Sequence, residues 1–226
     1  MVSKAEMLTP HPSPVGVAGR SKSAGRGRPR CEAKNTAILE SAVDLFMENG
    51  FEGTSMDEVA RRAGVSKQTV YSHFSGKEQL FSAAVRYRMQ DSFAEQALEG
   101  IEGAGVEDQI HAISLVYARL LLSQEAISMF RLLVSGAPQG PELARLFWAS
   151  GPEDMILSLA DFLRRRVDEG SLRIDNVDRA ANQLIALLQG RYHFLLAIGL
   201  IDKVDEDDIR RHAADCTRTF LDLYRA

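Results

Sequence analysis

Cysteine is scarce in this chain: Cys31 and Cys216 are the two in 226 residues. That excludes a disulfide scaffold and a four-cysteine zinc site. No apolar run reaches the roughly eighteen residues a spanning helix needs, which excludes a helical membrane protein. The N-terminus carries Lys4 and then Thr9-Pro10-His11-Pro12-Ser13-Pro14, with no apolar core of a signal peptide. The expectation is a cytoplasmic protein. Enzyme signatures are missing too: there is no Walker-type loop, no Gly-x-Ser-x-Gly and no His-Glu-x-x-His. No cofactor is implied. What is present, 45% apolar and 26% charged residues, is the composition of a soluble globular chain of one or two domains.

The net charge of -4 hides a split. Residues 1–90 hold 13 Lys and Arg against 9 Asp and Glu, and the remainder holds 14 against 22. A basic front on an acidic body fits one part that meets a polyanion and one that does not. Residues 1–31 read as a disordered basic arm. They contain four of the seven prolines and few large apolar side chains, too little to offset the entropy of ordering.

From residue 32 the periodicity is helical. Ile38, Ala42, Leu45 and Phe46 share one helix face, and Gly50 suits a helix end. Ser55 with Glu58 and Thr54 with Asp57 form overlapping capping boxes before a short helix that buries Met56, Val59, Ala60 and Ala63. Gly64 makes a tight turn, and Ser66 caps a helix from Lys67 to Phe74. Ser75 with Glu78 caps a fourth helix, expected from Lys77 past Ala94. Further helices are expected near 106–122, 124–135, 141–149, 152–169, 178–199 and 206–224, with breaks at Gly136, Pro138, Gly140, Pro141, Gly151 and Pro152. No strand signal competes with them.

The pair of helices at 56–74 has helix-turn-helix proportions. Val70 plugs the space between them. Lys67, Gln68, Thr69, Tyr71, Ser72 and His73 are left as a polar face that suits a major groove. A solvated helical hairpin has the same pattern; the basic arm and the charge split favour DNA. Within the arm, Arg26, Arg28 and Arg30 sit in Gly25-Arg26-Gly27-Arg28-Pro29-Arg30, whose Arg-Gly-Arg-Pro resembles an AT-hook that lays arginines into a narrow minor groove. A generic basic tail on phosphates is the alternative.

In the last two helices, Ile209, Ala213, Cys216, Phe220 and Leu223 form a narrow 4-3-4-3 seam that wants a partner helix. Leu184, Leu188 and Leu195 belong to a preceding helix that is apolar on nearly every side. The seam and those leucines are the candidate dimer interface; the alternative is the centre of a single-chain bundle. His212 and Cys216 stand at i, i+4, and Asp205–Asp208 forms an acidic run. The first pair falls on the apolar seam and the run at a helix start, where carboxylates suit the dipole, so no metal site is read. Arg164-Arg165-Arg166 reads as a solvated helix end.

Residues 38–81 resemble the DNA-binding domain of TetR-type transcriptional regulators. The likeness lies in Ile38-Leu39-x-x-Ala42-x-x-Leu45-Phe46-x-x-x-Gly50-Phe51-x-x-Thr54-Ser55-Met56-x-x-Val59-Ala60-x-x-Ala63-Gly64-Val65-Ser66-Lys67-x-Thr69-Val70-Tyr71-x-His73-Phe74-x-x-Lys77-Glu78-x-Leu80-Phe81. Downstream, Phe130-Arg131-Leu132, Pro141-Glu142-Leu143-Ala144 and Gly170-Ser171-Leu172-Arg173 are similar to AefR-like C-terminal domains. The resemblance implies that Thr54 bonds a phosphate while capping its helix. Lys67 and Thr69 would open the recognition helix, and Tyr71, His73 and Lys77 would meet phosphates. Gln68 departs from the small residue often found there; its amide could read an adenine edge, worth ~1–3 kcal/mol of discrimination. Ser72 is a weaker base contact.

The resemblance also implies an effector pocket in the acidic half. Its candidate liners are Tyr117, Phe130, Phe147, Trp148, Met155 and Phe194, with Arg119 and His193 as polar anchors.

The expectation is therefore an all-α chain. A basic arm at 1–31 precedes a three-helix helix-turn-helix domain at 32–80 and a helical effector-binding and dimerisation domain at 81–226. It would be a homodimeric regulator, a repressor released from a palindromic double-stranded DNA operator by a small molecule. The rival readings are an architectural A·T-rich DNA binder without effector, and a helical carrier or enzyme with an incidental helix-turn-helix.

Overall fold

The computed structural model describes residues 28–89, 97–98, 101 and 103–226. The described residues are almost wholly helical, with one isolated bridge between Leu172 and Arg225. The arm up to Gly27, including Arg26, and the expected continuation of the fourth helix past residue 89 lie outside them.

The first helix, α1 (Arg28–Gly53), starts earlier than the sequence suggests, so Arg28 and Arg30 have helical rather than extended backbone. Its buried stripe is Ile38, Leu39, Ala42, Leu45 and Phe46. Gly50, at φ 74° and ψ 176°, breaks the helix in a region that only glycine enters cheaply. Next come α2 (Met56–Arg62), α3 (Lys67–His73) and α4 (Lys77–Met89). Val70 of α3 is fully buried where α3 packs on α2, in the same core as Val59 and Ala60. Phe46, Phe51 and Phe81 stack and meet edge-on at 5.2–5.7 Å, locking α1 to α4. Leu80, Phe81 and Ala84 lie in this core, so a boundary at residue 80 falls inside α4.

The body holds α5 (Val106–Leu121), α6 (Gln124–Gly136), a 3-10 turn (Ala137–Gln139), α7 (Glu142–Trp148), α8 (Pro152–Asp168), α9 (Val177–Ala197) and α10 (Glu206–Tyr224). Ser123 and Asn176 cap α6 and α9 through their side-chain oxygens. The central helix is α9, which packs on α5, α6, α8 and α10 and so must be apolar on several sides. Arg131 of α6 donates to the carbonyls of Ala197 and Leu196, placing a cation on the negative end of α9.

The seam on α10 faces inward. Ala213 and Phe220 are fully buried, Ile209 and Cys216 nearly so, and this face packs on α5 and α9 of the same chain. Leu184 and Leu188 are buried as well, and Leu195 is half-buried. Of the candidate dimer residues only Leu223 is exposed. The partner that the 4-3-4-3 spacing calls for is thus a helix of the same chain. The arginine run is a tied helix end: Arg164 pairs with Asp161 and Asp178, Arg166 with Glu169 and Gln109.

Candidate nucleic-acid interface and internal cavity

The α2–α3 unit is set by backbone and cap geometry. Ser55 caps α2 by accepting from the Glu58 amide at 3.2 Å. Gly64, at φ 66°, turns the chain, and the Val65 amide closes the turn on the Ala60 carbonyl at 3.0 Å. Ser66 accepts from the Thr69 amide at 3.1 Å, and its hydroxyl meets that of Thr69 at 2.8 Å. The start of α3 is therefore fixed before any ligand arrives.

The polar face of α3 points outward. Lys67, Gln68, Tyr71 and Ser72 are exposed; Thr69 and His73 are half-buried. Tyr71 is an exposed aromatic beside the Lys67 ammonium, which lies 5.8 Å from its ring centroid. Lys67 also bonds Asp57 of α2 at 2.8 Å, and that hydrogen bond holds its pKa above the ordinary lysine value. Lys77 leans over the Phe51 ring and reaches Glu52, its ammonium 3.5 Å from the carboxylate. Ser72 spends its proton on the Thr69 carbonyl at 2.7 Å. Arg62 and Glu48 form a two-point pair at 2.7 and 2.6 Å that braces α2 on α1.

Thr54 corrects the sequence reading. It is buried, and its hydroxyl points to the carbonyls of Gly50 at 2.8 Å and Leu45 at 3.0 Å. Both carbonyls belong to the last turns of α1, on either side of Asn49 and next to the break at Gly50. Thr54 therefore finishes α1, and Ser55 alone caps α2.

Between head and body lies a cavity of about 600 Å³. Arg119, Phe130, Phe147, Trp148, Met155 and His193 line it. Tyr117 does not: it is fully buried behind Met155, with its hydroxyl on the Met155 carbonyl at 3.4 Å. Phe194 does not either; one residue on from His193 it turns to the outer face of α9 and is 61% exposed.

The head supplies a wall that sequence reasoning missed. Val43, Phe46 and Met47 of α1 and Phe81, Val85 and Arg88 of α4 line the same space. Phe81, Val85 and Arg88 at i, i+4, i+7 were the readable signal, since that face runs on from the head core. Ile185, Gln189 and His193 of α9 close the opposite side. Burial lowers the His193 pKa below its ordinary value, and its ring meets Phe130 edge-on at 4.9 Å. Arg88 pairs with Glu125 of α6 and Arg119 with Glu206 of α10.

Residues 38–84 match the model of bacterial regulatory proteins of the tetR family, and residues 108–226 match the C-terminal domain of AefR-like transcriptional repressors. The chain belongs to the TetR family. The AefR-like match spans more of the chain than the short motifs at 130–173 suggested. YdeS, an HTH-type transcriptional regulator of Bacillus subtilis strain 168, is 33% identical over 82% of this chain and 88% of its own. RutR of Escherichia coli K12 is 40% identical over 68 residues, 30% of this chain and 32% of its own. Among solved structures, a TetR-family regulator from Mesorhizobium loti superposes with a TM-score of 0.73 at 27% identity, covering 87% of this chain and 99% of its own. The flavonoid-responsive regulator FrrA superposes at 0.64 with 30% identity, covering 86% and 98%. This TetR-family chain is a DNA-binding transcriptional regulator with a helix-turn-helix head and a helical body. Among its described residues, no helix is long and apolar enough to cross a membrane.

Proposed function

We propose that this regulator is a homodimeric repressor that holds a near-palindromic operator through α3 of each protomer and lets go when a small molecule fills the cavity. The observation that carries this reading is the shared wall. Phe46 and Phe81 belong to the head core and also border the cavity, so a ligand there presses on the α1–α4 core that carries α2 and, through it, α3. Arg88–Glu125 and the packing of Met89 against Gly151 tie the same helix to the body. A ligand that prefers one setting of α4 shifts operator affinity by its coupling energy, typically ~1–3 kcal/mol. The flavonoid response named for FrrA, a relative of similar fold, supports a small-molecule effector for this chain.

Lys67, Gln68, Thr69 and Tyr71 are the proposed groove contacts, with His73 and Lys77 on flanking phosphates. The basic arm, Arg26 included, adds phosphate contacts upstream. Pairing is assigned to the outer face of α9, where Phe194 and Ile198 stand one turn apart, each more than half exposed. Selection of bound sequences from a random DNA pool tests the reading. Two inverted half-sites, with spacing set by the two-fold axis, are expected. A single unpaired site, or no sequence preference, would overturn it.

A further inference from the structure

We propose that the cavity takes an uncharged aromatic molecule of two or three rings bearing a hydroxyl group, its rings lying against Phe46, Phe81, Phe130, Phe147 and Trp148 and its hydroxyl meeting His193 and Gln189. This deepens, and rests on, the reading of the cavity as the effector site. The wall carries those five aromatic side chains and the four methionines Met47, Met89, Met129 and Met155. Ring faces and edges favour ring ligands, and thioethers adapt their shape to them and make favourable contacts with π systems. A volume of about 600 Å³ suits a drug-sized ligand rather than a single ring.

The polar groups select against charge. Two cations line the wall, and each is already matched by a carboxylate: Arg88 by Glu125, and Arg119 by Glu206, its Nε 3.1 Å from the Glu206 carboxylate. An anionic ligand would have to compete with a glutamate for its arginine, because neither cation on the wall lacks a carboxylate partner. His193 is no substitute cation, because burial depresses its pKa and keeps the imidazole neutral at neutral pH. A neutral imidazole offers one donor and one acceptor, which matches a hydroxyl. Gln189 and His193 stand at i, i+4 on α9, both on the cavity. Among the described residues neither side chain makes a hydrogen bond to the protein, so both are free to bond a guest.

Trp148 is the only tryptophan of the chain, so its emission reports occupancy of the cavity without DNA. The full-length protein is titrated at neutral pH with 4-phenylphenol, biphenyl-4-carboxylate, unsubstituted biphenyl and dodecanoate. A saturable change is expected with 4-phenylphenol, at about tenfold tighter binding than with either carboxylate. His193→Leu is expected to weaken 4-phenylphenol about tenfold and to leave biphenyl unchanged. Carboxylates binding as tightly as the phenol, no saturable change with the phenol, or equal loss of phenol and biphenyl in His193→Leu would each overturn the proposal. Operator release is measured in parallel. Phenol binding without release upholds the ligand class and overturns the effector reading; release by dodecanoate alone does the reverse.

Discussion

His212 of α10 donates from Nε2 to the carbonyl oxygen of Leu188 on α9, 2.9 Å away. That carbonyl lies two residues before Gly190, whose φ of 44° and ψ of -150° interrupt α9. The Cys216 thiol, one turn further along α10, reaches the neighbouring carbonyl of Leu187 at 3.4 Å. Two side chains of α10 thus satisfy carbonyls that the break removes from the helical ladder. Gln189 and His193 flank the break and face the cavity, so the kink helps shape the ligand wall.

Gly190→Ala is expected to destabilise the fold by about 1–3 kcal/mol, because a non-glycine residue is strained at that φ. A Cβ there would also sit 3.1 Å from the His212 ring. His212→Phe keeps a ring but removes the donor, leaving the Leu188 carbonyl unmet at a cost of about 1–3 kcal/mol. Urea unfolding of both single variants and the double variant checks this. The double variant should cost less than the sum, since the two sites touch.

Cys216 should be inert in the native protein. Burial, with the charge of Asp215 added, pushes its thiol up to about 11 from an ordinary 9.0. At mildly alkaline pH the thiolate is therefore rare, and a disulfide reagent should count no more than one thiol before denaturation and two after. The folded state keeps a proton that the unfolded state releases once pH passes 9.0, so this group costs stability progressively from there upward. Cys216→Ala should flatten that alkaline decline in unfolding midpoints.

Thr54 and Lys67 separate fold from contact. Thr54→Val removes the hydroxyl that meets the Gly50 and Leu45 carbonyls, and should cost about 1–3 kcal/mol of stability. Among folded molecules its salt dependence of DNA affinity should stay unchanged. Lys67→Ala should leave the unfolding midpoint nearly unmoved, since the Asp57 pair is exposed. It should lower the slope of log affinity against log salt by about one. Fluorescence anisotropy at several salt concentrations, beside thermal melts, reads both.

These two residues also mark where sequence stops informing. The head core at Ile38, Ala42, Leu45 and Phe46 was legible because a buried helix face repeats every 3.6 residues. The body helices were legible because Gly136, Pro138, Gly151 and Pro152 punctuate them. Thr54 was not, because a hydroxyl beside a helix break serves the break or the next helix, and only the path of the chain at Gly50 decides. The walls given by α1 and α4 were hidden for a related reason: periodicity says that Phe81 is buried, not that its far edge borders a space shared with the body. Tyr117 and Phe194 were misjudged because being aromatic does not tell which way a side chain faces.

The same ambiguity governs the dimer surface and yields the sharpest contrast. A 4-3-4-3 seam demands a helix but does not say whose, and here α5 and α9 of the same chain fill the demand. Phe220→Ala should therefore act on folding, opening a void in the protomer core worth about 3–5 kcal/mol. Phe194→Glu combined with Ile198→Asp acts on the outer face of α9, where both side chains are exposed, and should leave the protomer folded. Light scattering behind size exclusion should find that double variant monomeric. Its operator affinity should then collapse to that of one reading head, because the second half-site is no longer held by the first. If the charged double variant stays dimeric, α9 is not the pairing face, and the exposed Leu157, Leu200 and Leu223 become the surfaces to charge next.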